Sequence, residues 1–340
     1  MHKFTVEQLK IRLDKFLAEQ LPEISRSRIQ KDIEAGLVIV NGKVDLLPHR
    51  AIRQNSEVEY KPSPEPGKPQ PINLPLKTLY NNNGLLILDK PAGLVVHPGA
   101  GFKGDSLAQA LLYHFKDIHL VGEEDRHGVV HRLDKDTSGV ILVALTQEMY
   151  EHLKDAFAER KVKKEYIALV LGNIKENTGS FDQPMGKSKK DFRKHTIVKS
   201  DMGIPKPALT EYKVLEHLSF SHPSSRGGEG EVDPVKFAKG STAEQSFNRV
   251  DEYTLIAVKL HTGRTHQIRV HFSSAGFPLI GDELYGGKNV MKLGLSRQFL
   301  HAKKIEVQLP DQSWIEAESD FPRDLQELLI KLDSQKVHLL

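Results

Sequence analysis

Apolar positions along this chain change rhythm near residue 62. Over Thr5 to Gln20 they recur at helical spacing, with Leu9, Leu13, Phe16 and Leu17 on one stripe, and Pro22 stops the predicted helix. Ser25 is placed to cap a second helix, Arg26 to Ala35, that ends at Gly36. Leu37 to Val40, a turn at Asn41-Gly42 and then Lys43-Val44 read as a tight hairpin, with Glu57 to Tyr60 as a later strand. The pattern predicts a small α/β domain over residues 1–62.

Six of the chain's eighteen prolines lie between Lys61 and Leu76, which disfavours helix and sheet ladder alike and predicts a spacer over 63–77. Beyond it, over 78–330, short apolar blocks predict strands at Leu85 to Asp89, Leu94 to His97, Val140 to Ala144, Tyr166 to Leu171 and Tyr253 to Leu260. Helices are expected near Ser106 to Phe115, Gln147 to Arg160 and His266 to Ser274. Strands and helices do not alternate regularly, so the expected class is α+β, not a doubly wound sheet. Residues 221–248 are rich in Ser, Gly and charge, and are expected to form an exposed, mobile insertion.

Composition narrows the chemistry. The 340 residues carry 48 Lys and Arg against 45 Asp and Glu, a net charge of +3, so any case for an RNA partner must come from where the cations sit. With no cysteine, disulfides, zinc-thiolate sites, iron-sulfur clusters and thiol nucleophiles are excluded. The first residues lack the apolar core of a signal peptide, and no stretch free of Asp, Glu, Lys and Arg exceeds twelve residues; the reading is a cytoplasmic protein off the membrane.

The run from Gly128 to Ala144 places His131, Arg132, Asp134, Lys135 and Asp136 between two apolar segments. On a strand, Val129, His131 and Leu133 would share one face and Val130, Arg132 and Asp134 the other. A hairpin tip explains Asp136, Thr137, Ser138 and Gly139 as turn formers but leaves His131, Arg132 and Asp134 unexplained. In Thr262 to His271, Thr265 is an expected N-cap, and Arg269 lies beside the apolar positions Ile268 and Phe272. A partly buried arginine there demands an anionic partner. His261, His266 and His271 recur every five residues, a spacing that gathers onto no single helix or strand face, so no metal site is expected.

Cations concentrate in two places. Lys187, Lys189, Lys190, Arg193, Lys194 and Lys199 crowd a segment with one acid, Asp191, which reads as a phosphate-tracking loop or a merely solvated one; Arg26, Arg28 and Lys31 lie on the second helix. Together they favour nucleic acid. Gly99 to Gly104 matches the dinucleotide-binding glycine pattern, but the following stretch, Asp117 to Val121, is too short for the second strand such a unit needs. Gly281 to Lys288 fails the phosphate-loop pattern, since its second glycine is followed by Gly287.

His131-Arg132-Leu133-Asp134 followed by Lys135-Asp136-Thr137-Ser138-Gly139 resembles the signature of the RluA-type pseudouridine synthases. Lys90 to Pro98 resembles that family's first motif, Lys164-Glu165-Tyr166 its tyrosine segment and Thr262 to His271 its arginine motif. Val95 to Gly101 is similar to the loop of the RluD branch, which modifies large-subunit ribosomal RNA. The N-terminal residues Arg12 to Leu17, Ser25 to Arg28 and Val40 to Lys43 resemble the S-four-type (alpha-L) RNA-binding module.

The resemblance implies a pseudouridine synthase fold with a mainly antiparallel mixed sheet, and a cofactor-free isomerisation of uridine in 23S ribosomal RNA by a monomeric protein. It makes Asp134 the essential carboxylate, as nucleophile or as base. Arg269 becomes its counter-ion, a pairing that favours the ionised carboxylate either route needs. Tyr166 is implied to stack on the target uracil and to be a candidate for C5 deprotonation, and Arg132 to hold the RNA where the nucleotide leaves the stack. Arg12, Lys15, Arg26, Arg28, Lys31, Lys187, Lys189 and Arg193 are the expected RNA contacts. A non-catalytic RNA-binding or assembly factor on the same fold is the alternative, against which an intact Asp134, Tyr166 and Arg269 argue.

Overall fold

Leu85 to Lys90 and Ser138 to Ala144 are apolar on both faces, and such segments are stable only inside a sheet covered on both sides. The computed structural model pairs them as neighbouring interior strands of a nine-stranded sheet. It describes all residues except 1, 64–68, 98–103, 124–125, 190, 192, 199–204, 222–249, 292 and 335–340. The chain divides into two compact units, Met1–Gly67 and Lys68–Leu340.

In the first unit the elements are β1 (His2–Thr5), β2 (Lys10–Arg12), α1 (Leu13–Gln20), α2 (Arg26–Glu34), β3 (Val38–Val40), β4 (Lys43–Val44), β5 (Ala51–Arg53) and β6 (Glu57–Tyr60). The helix expected from Thr5 begins only at Leu13. Residues 2–5 pair with β6 instead, and Arg12 stays extended. Leu9, counted on the helical stripe, is 83% exposed. Sheet pairing overrode a helical spacing that three of the four leucine and phenylalanine positions do obey. The hairpin at Asn41-Gly42 forms with φ of 49° and 74°, the left-handed pair a two-residue turn requires. Ser25 precedes α2, but its side chain makes no capping bond.

The second unit contains β7 (Lys77–Asn82), β8 (Leu85–Lys90), α3 (Leu107–His114), β9 (Ser138–Ala144), α4 (Gln147–Ala158), β10 (Lys163–Leu171), β11 (Thr178–Asp182), β12 (Met185–Lys187), β13 (His195–Ile197), β14 (Leu209–Ser221), β15 (Val250–Leu260), α5 (Gln267–Ser274), α6 (Glu283–Gly286), β16 (Leu300–Gln308), β17 (Trp314–Glu318) and α7 (Arg323–Lys331). The sheet runs β11-β14-β15-β10-β16-β9-β8-β7, with β17 on β16. Among the described residues its strand pairs are antiparallel except β16 with β9. The fold is thus α+β around a mainly antiparallel mixed sheet, as expected.

Alternation along the central strands builds two cores. Leu86, Leu88, Ile141, Val143, Tyr166 and Ala168 pack on one face with Ile268 and Phe272 of α5. Leu85, Ile87, Val140 and Leu142 pack on the other with Met149 and Leu153 of α4.

Several local expectations are corrected. Leu94 to His97 is not a strand and makes only a bridge between Val95 and Ser106, because the chain turns off the sheet after Pro91. Residues 130–137 are irregular, so no strand alternation sets their directions. α5 starts at Gln267, with left-handed His266 as the cap residue in place of Thr265. The cation-rich segment is not a free loop: β12 and β13 pair as a hairpin, leaving Lys190, Phe192 and Lys199 outside the described residues. The glycine run at 99–103 and the segment 222–249 also lie outside them.

Candidate active site

The β9–β16 ladder is two residues long, joining His301 to Ser138 and Ala302 to Gly139. Beyond it the edge of β9 would be left with open main-chain donors, and the segment Gly128 to His131 fills it. Ala144 N–H donates to Gly128 C=O at 2.9 Å, Val129 bridges to Val143, and Leu142 N–H donates to His131 Nε2 at 2.9 Å. His131 is therefore a neutral acceptor. Burial, aided by the Lys164 ammonium, pushes its pKa down to about 3. Gly128 and Gly139 bracket the loop at φ of 73° and 113°, where a Cβ would stand 2.0 Å from Ala144 O and 2.2 Å from Ala302 O. Only glycine fits either position.

The loop between them is held by its own carbonyls. Asp134 C=O accepts from Thr137 N–H, and Lys135 C=O accepts from Gly93 N–H and from Lys90 Nζ, both at 3.0 Å. Asp136 C=O accepts from Arg297 Nη1 at 3.1 Å, and Gln298 Nε2 donates to Thr137 Oγ1 at 3.2 Å. Arg297 is itself fixed by Asp324 at 2.6 and 2.9 Å. A carboxylate on such a loop is preorganised by its surroundings.

Arg269, on the buried side of α5, joins two carboxylates. Its Nε and Nη2 donate to Asp282 at 2.7 and 2.9 Å, and its Nη1 donates to Asp134 Oδ2 at 3.2 Å. The Asp282 side chain is 1% exposed and that of Asp134 17%. Burial alone would lower the Arg269 pKa, but the Asp282 bonds and the Asp134 charge more than offset it and hold the guanidinium above its ordinary value. Asp282 thus takes two of the Arg269 bonds and Asp134 Oδ2 one, and among the described residues Asp134 Oδ1 accepts no hydrogen bond.

Around this pair, His266 places Nε2 3.9 Å from Asp134 Oδ2, while its Nδ1 lies 2.9 Å from the Tyr285 hydroxyl. That hydroxyl also accepts from His195 N–H at 2.9 Å, and the Arg269 guanidinium sits 5.1 Å from the Tyr285 ring. Burial lowers the His266 pKa despite the nearby Asp134 charge.

Asp134 opens onto a cleft of about 420 Å³. Arg132, Tyr166, Lys164, Arg264 and Arg269 share its lining, and Asp134 is the only acid among the described residues that line it. Arg132 and Asp134 thus face one space, though through an irregular loop and not through strand alternation. Tyr166 is buried on β10, and burial followed by the Asp134 charge raises its pKa, so its ring is a neutral wall.

In the first unit, buried Asp14 collects Arg12 at 3.0 Å, Arg26 at 2.9 Å and Gln30 at 2.6 Å, aligning two half-exposed guanidinium groups across α1 and α2. Lys15 pairs with Glu19, Lys31 is exposed, and Arg28 donates to Ser63 C=O. In the second unit Lys187 and Lys189 are exposed on the β12–β13 hairpin, and Arg193 is engaged by Asp191 at 2.9 Å.

Residues 84–274 match the RNA pseudouridylate synthase family and residues 11–57 the S4 domain. The chain belongs to the RNA pseudouridylate synthase family. This synthase is 34% identical over 347 residues to ribosomal large subunit pseudouridine synthase D of Yersinia pestis, covering 97% of this chain and 94% of that one. It is 40% identical over 288 residues to an uncharacterized RNA pseudouridine synthase of Aquifex aeolicus, covering 84% and 80% respectively. The solved structure of human RNA pseudouridylate synthase domain containing 1 superposes with a TM-score of 0.54 at 26% identity, covering 78% of this chain and 90% of that one. The protein is an RluD-like RNA pseudouridine synthase of the RluA type, and its partner is RNA.

Asp282 and Tyr285 were not among the residues singled out from sequence, and His266 was weighed there only as a metal ligand. Asp282 had a signal: an acid directly after Gly281 and before Glu283-Leu284 is an N-cap pattern, and its side chain does accept from Tyr285 N–H. Nothing local tied that cap to Arg269, thirteen residues away. No group of three metal-ligating side chains occurs among the described residues, and no helix is long and apolar enough to cross a membrane.

Proposed function

We propose that the synthase isomerises uridines of large-subunit ribosomal RNA in the cytoplasm, with Asp134 as the reactive carboxylate and without a cofactor. The observation that carries this reading is the position of Asp134: among the described residues it is the only acid lining a cationic cleft, anchored through one oxygen to Arg269 and open through the other. The net reaction breaks the N1–C1′ bond, forms C5–C1′ and moves one proton from C5 to N1. A carboxylate serves it either by attacking C1′ or by taking the C2′ proton to give a glycal, and both roles need the anion. Tyr166 supplies a neutral face on which the uracil stacks while detached, and Arg132 holds the strand at the mouth.

The Asp14-centred arginines of the first unit, with Lys15, Arg28 and Lys31, contact RNA phosphates, as do Lys187, Lys189 and Arg193 on the β12–β13 hairpin. Phosphate contacts of this kind set affinity without reading sequence. The test is pseudouridine mapping in cells lacking the protein, rescued by wild type or by Asp134→Asn. Sites that vanish and return only with wild type support the assignment. No lost site would sink the function, and full rescue by Asp134→Asn would sink the role of Asp134.

A further inference from the structure

Two neighbouring lysines open β10 and meet opposite fates. Lys163 donates to Glu306 at 2.8 Å and lies 4.7 Å from the exposed Trp314 ring. Lys164 is on the other face with Tyr166, two residues on, and lines the cleft. Its ammonium is half-buried and lies 5.5 Å from the Phe157 ring; among the described residues it has no carboxylate partner. Burial pushes its pKa down to about 8. An ammonium taken from water without an anion costs stability. The fold keeps it all the same, beside the wall on which a uracil would stack. Successive same-face positions on a strand are roughly 6.6 Å apart, on the scale of a nucleotide.

We propose that Lys164 binds a phosphodiester group of the RNA strand next to the target nucleotide, supplying from its own side the positive charge that this end of the cleft holds unpaired. Arg132 guards the mouth beside Asp134, and Arg269 is committed to Asp282 and Asp134, so neither repeats this contact. The proposal rests on the functional reading above, and its test separates the two.

In the full-length protein, Lys164→Met and Lys164→Arg are compared with wild type for RNA affinity across a salt series, for single-turnover rate and for urea midpoint. Lys163→Gln is the control. Lys164→Met is expected to weaken RNA binding about tenfold, to reduce the slope of log affinity against log salt by about 0.7, the value for one single-stranded phosphate contact, and to change the rate at saturating RNA less than threefold. Its urea midpoint should rise, since a half-buried charge without a carboxylate partner is removed; a merely structural lysine would lower it. Lys164→Arg should restore most of the affinity, and Lys163→Gln should leave affinity and slope unchanged. An unchanged salt slope in Lys164→Met, or a rate loss at unaltered affinity, overturns the assignment. If wild type forms no pseudouridine in any RNA the functional reading falls, and the affinity series still decides whether Lys164 meets a phosphate.

Discussion

Arg269 is shared by two carboxylates, and replacing each in turn should give opposite readouts. Asp282→Asn preserves shape and can keep one acceptor for Arg269, but removes the charge that receives two bonds, at 2.7 and 2.9 Å, at a side chain only 1% exposed. Breaking such a buried pair costs about 3–5 kcal/mol. Asp134→Asn loses one longer bond, 3.2 Å, at a partly wet carboxylate, and leaves the Asp282 pair intact. Its stability should stay within about 1 kcal/mol of wild type. Catalysis reverses part of this order. Asp134→Asn should abolish turnover, while in Asp282→Asn the guanidinium is free to swing onto Asp134 and occupy its open oxygen, a misplacement that costs roughly 100-fold in rate. Urea denaturation followed by circular dichroism gives the stabilities, and release of tritium from C5-labelled uridine under single turnover gives the rates. Equal destabilisation by the two variants, or an Asp282→Asn protein as stable and as fast as wild type, would refute the division between a structural and a reactive carboxylate.

Two further outcomes follow from the same geometry. Tyr166→Leu keeps an apolar wall but loses the ring, so kcat/KM should fall roughly 5- to 150-fold, the worth of about 1–3 kcal/mol of stacking, beside a drop in urea midpoint from the space left in the core; unchanged kcat/KM would remove Tyr166 from the site. The folded His131 value of about 3 lies below the ordinary 6.5, so between those limits the unfolded chain binds a proton that the folded chain does not. Stability is therefore fully kept above pH 6.5 and lost as pH falls toward 3, by up to about 1.4 kcal/mol per pH unit. His131→Gln should make the acid limb of a stability-against-pH curve shallower by about one proton, and an equally steep limb would show that His131 is not held neutral.

What the sequence made legible was chemistry tied to local pattern. Asp134 stood out because charge interrupts two apolar blocks, and Arg269 because an arginine beside Ile268 and Phe272 needs an anion. The reasons given for their meeting were less sound. Arg132 and Asp134 share a cleft because carbonyl contacts shape an irregular loop, and no period-two pattern encodes that. The helix assigned from Thr5 failed because β6, fifty residues later, pairs with residues 2–5. Asp282 was missed for the same reason: its local role, an N-cap, is written nearby, while its role toward Arg269 exists only after α5 and α6 pack. His131 shows the reverse, an apparent site residue that the fold uses as an edge acceptor.

The loop bearing Asp134 is anchored through the main-chain oxygens of residues 134, 135 and 136. Every residue type has that oxygen. The address of the carboxylate is therefore largely independent of the side chain at Lys135, which points outward and is exposed. A lineage adapting to a differently shaped RNA can exchange such outward positions freely while the reactive oxygen stays where it is, so drift in substrate choice and constancy of chemistry are compatible within one short stretch of chain.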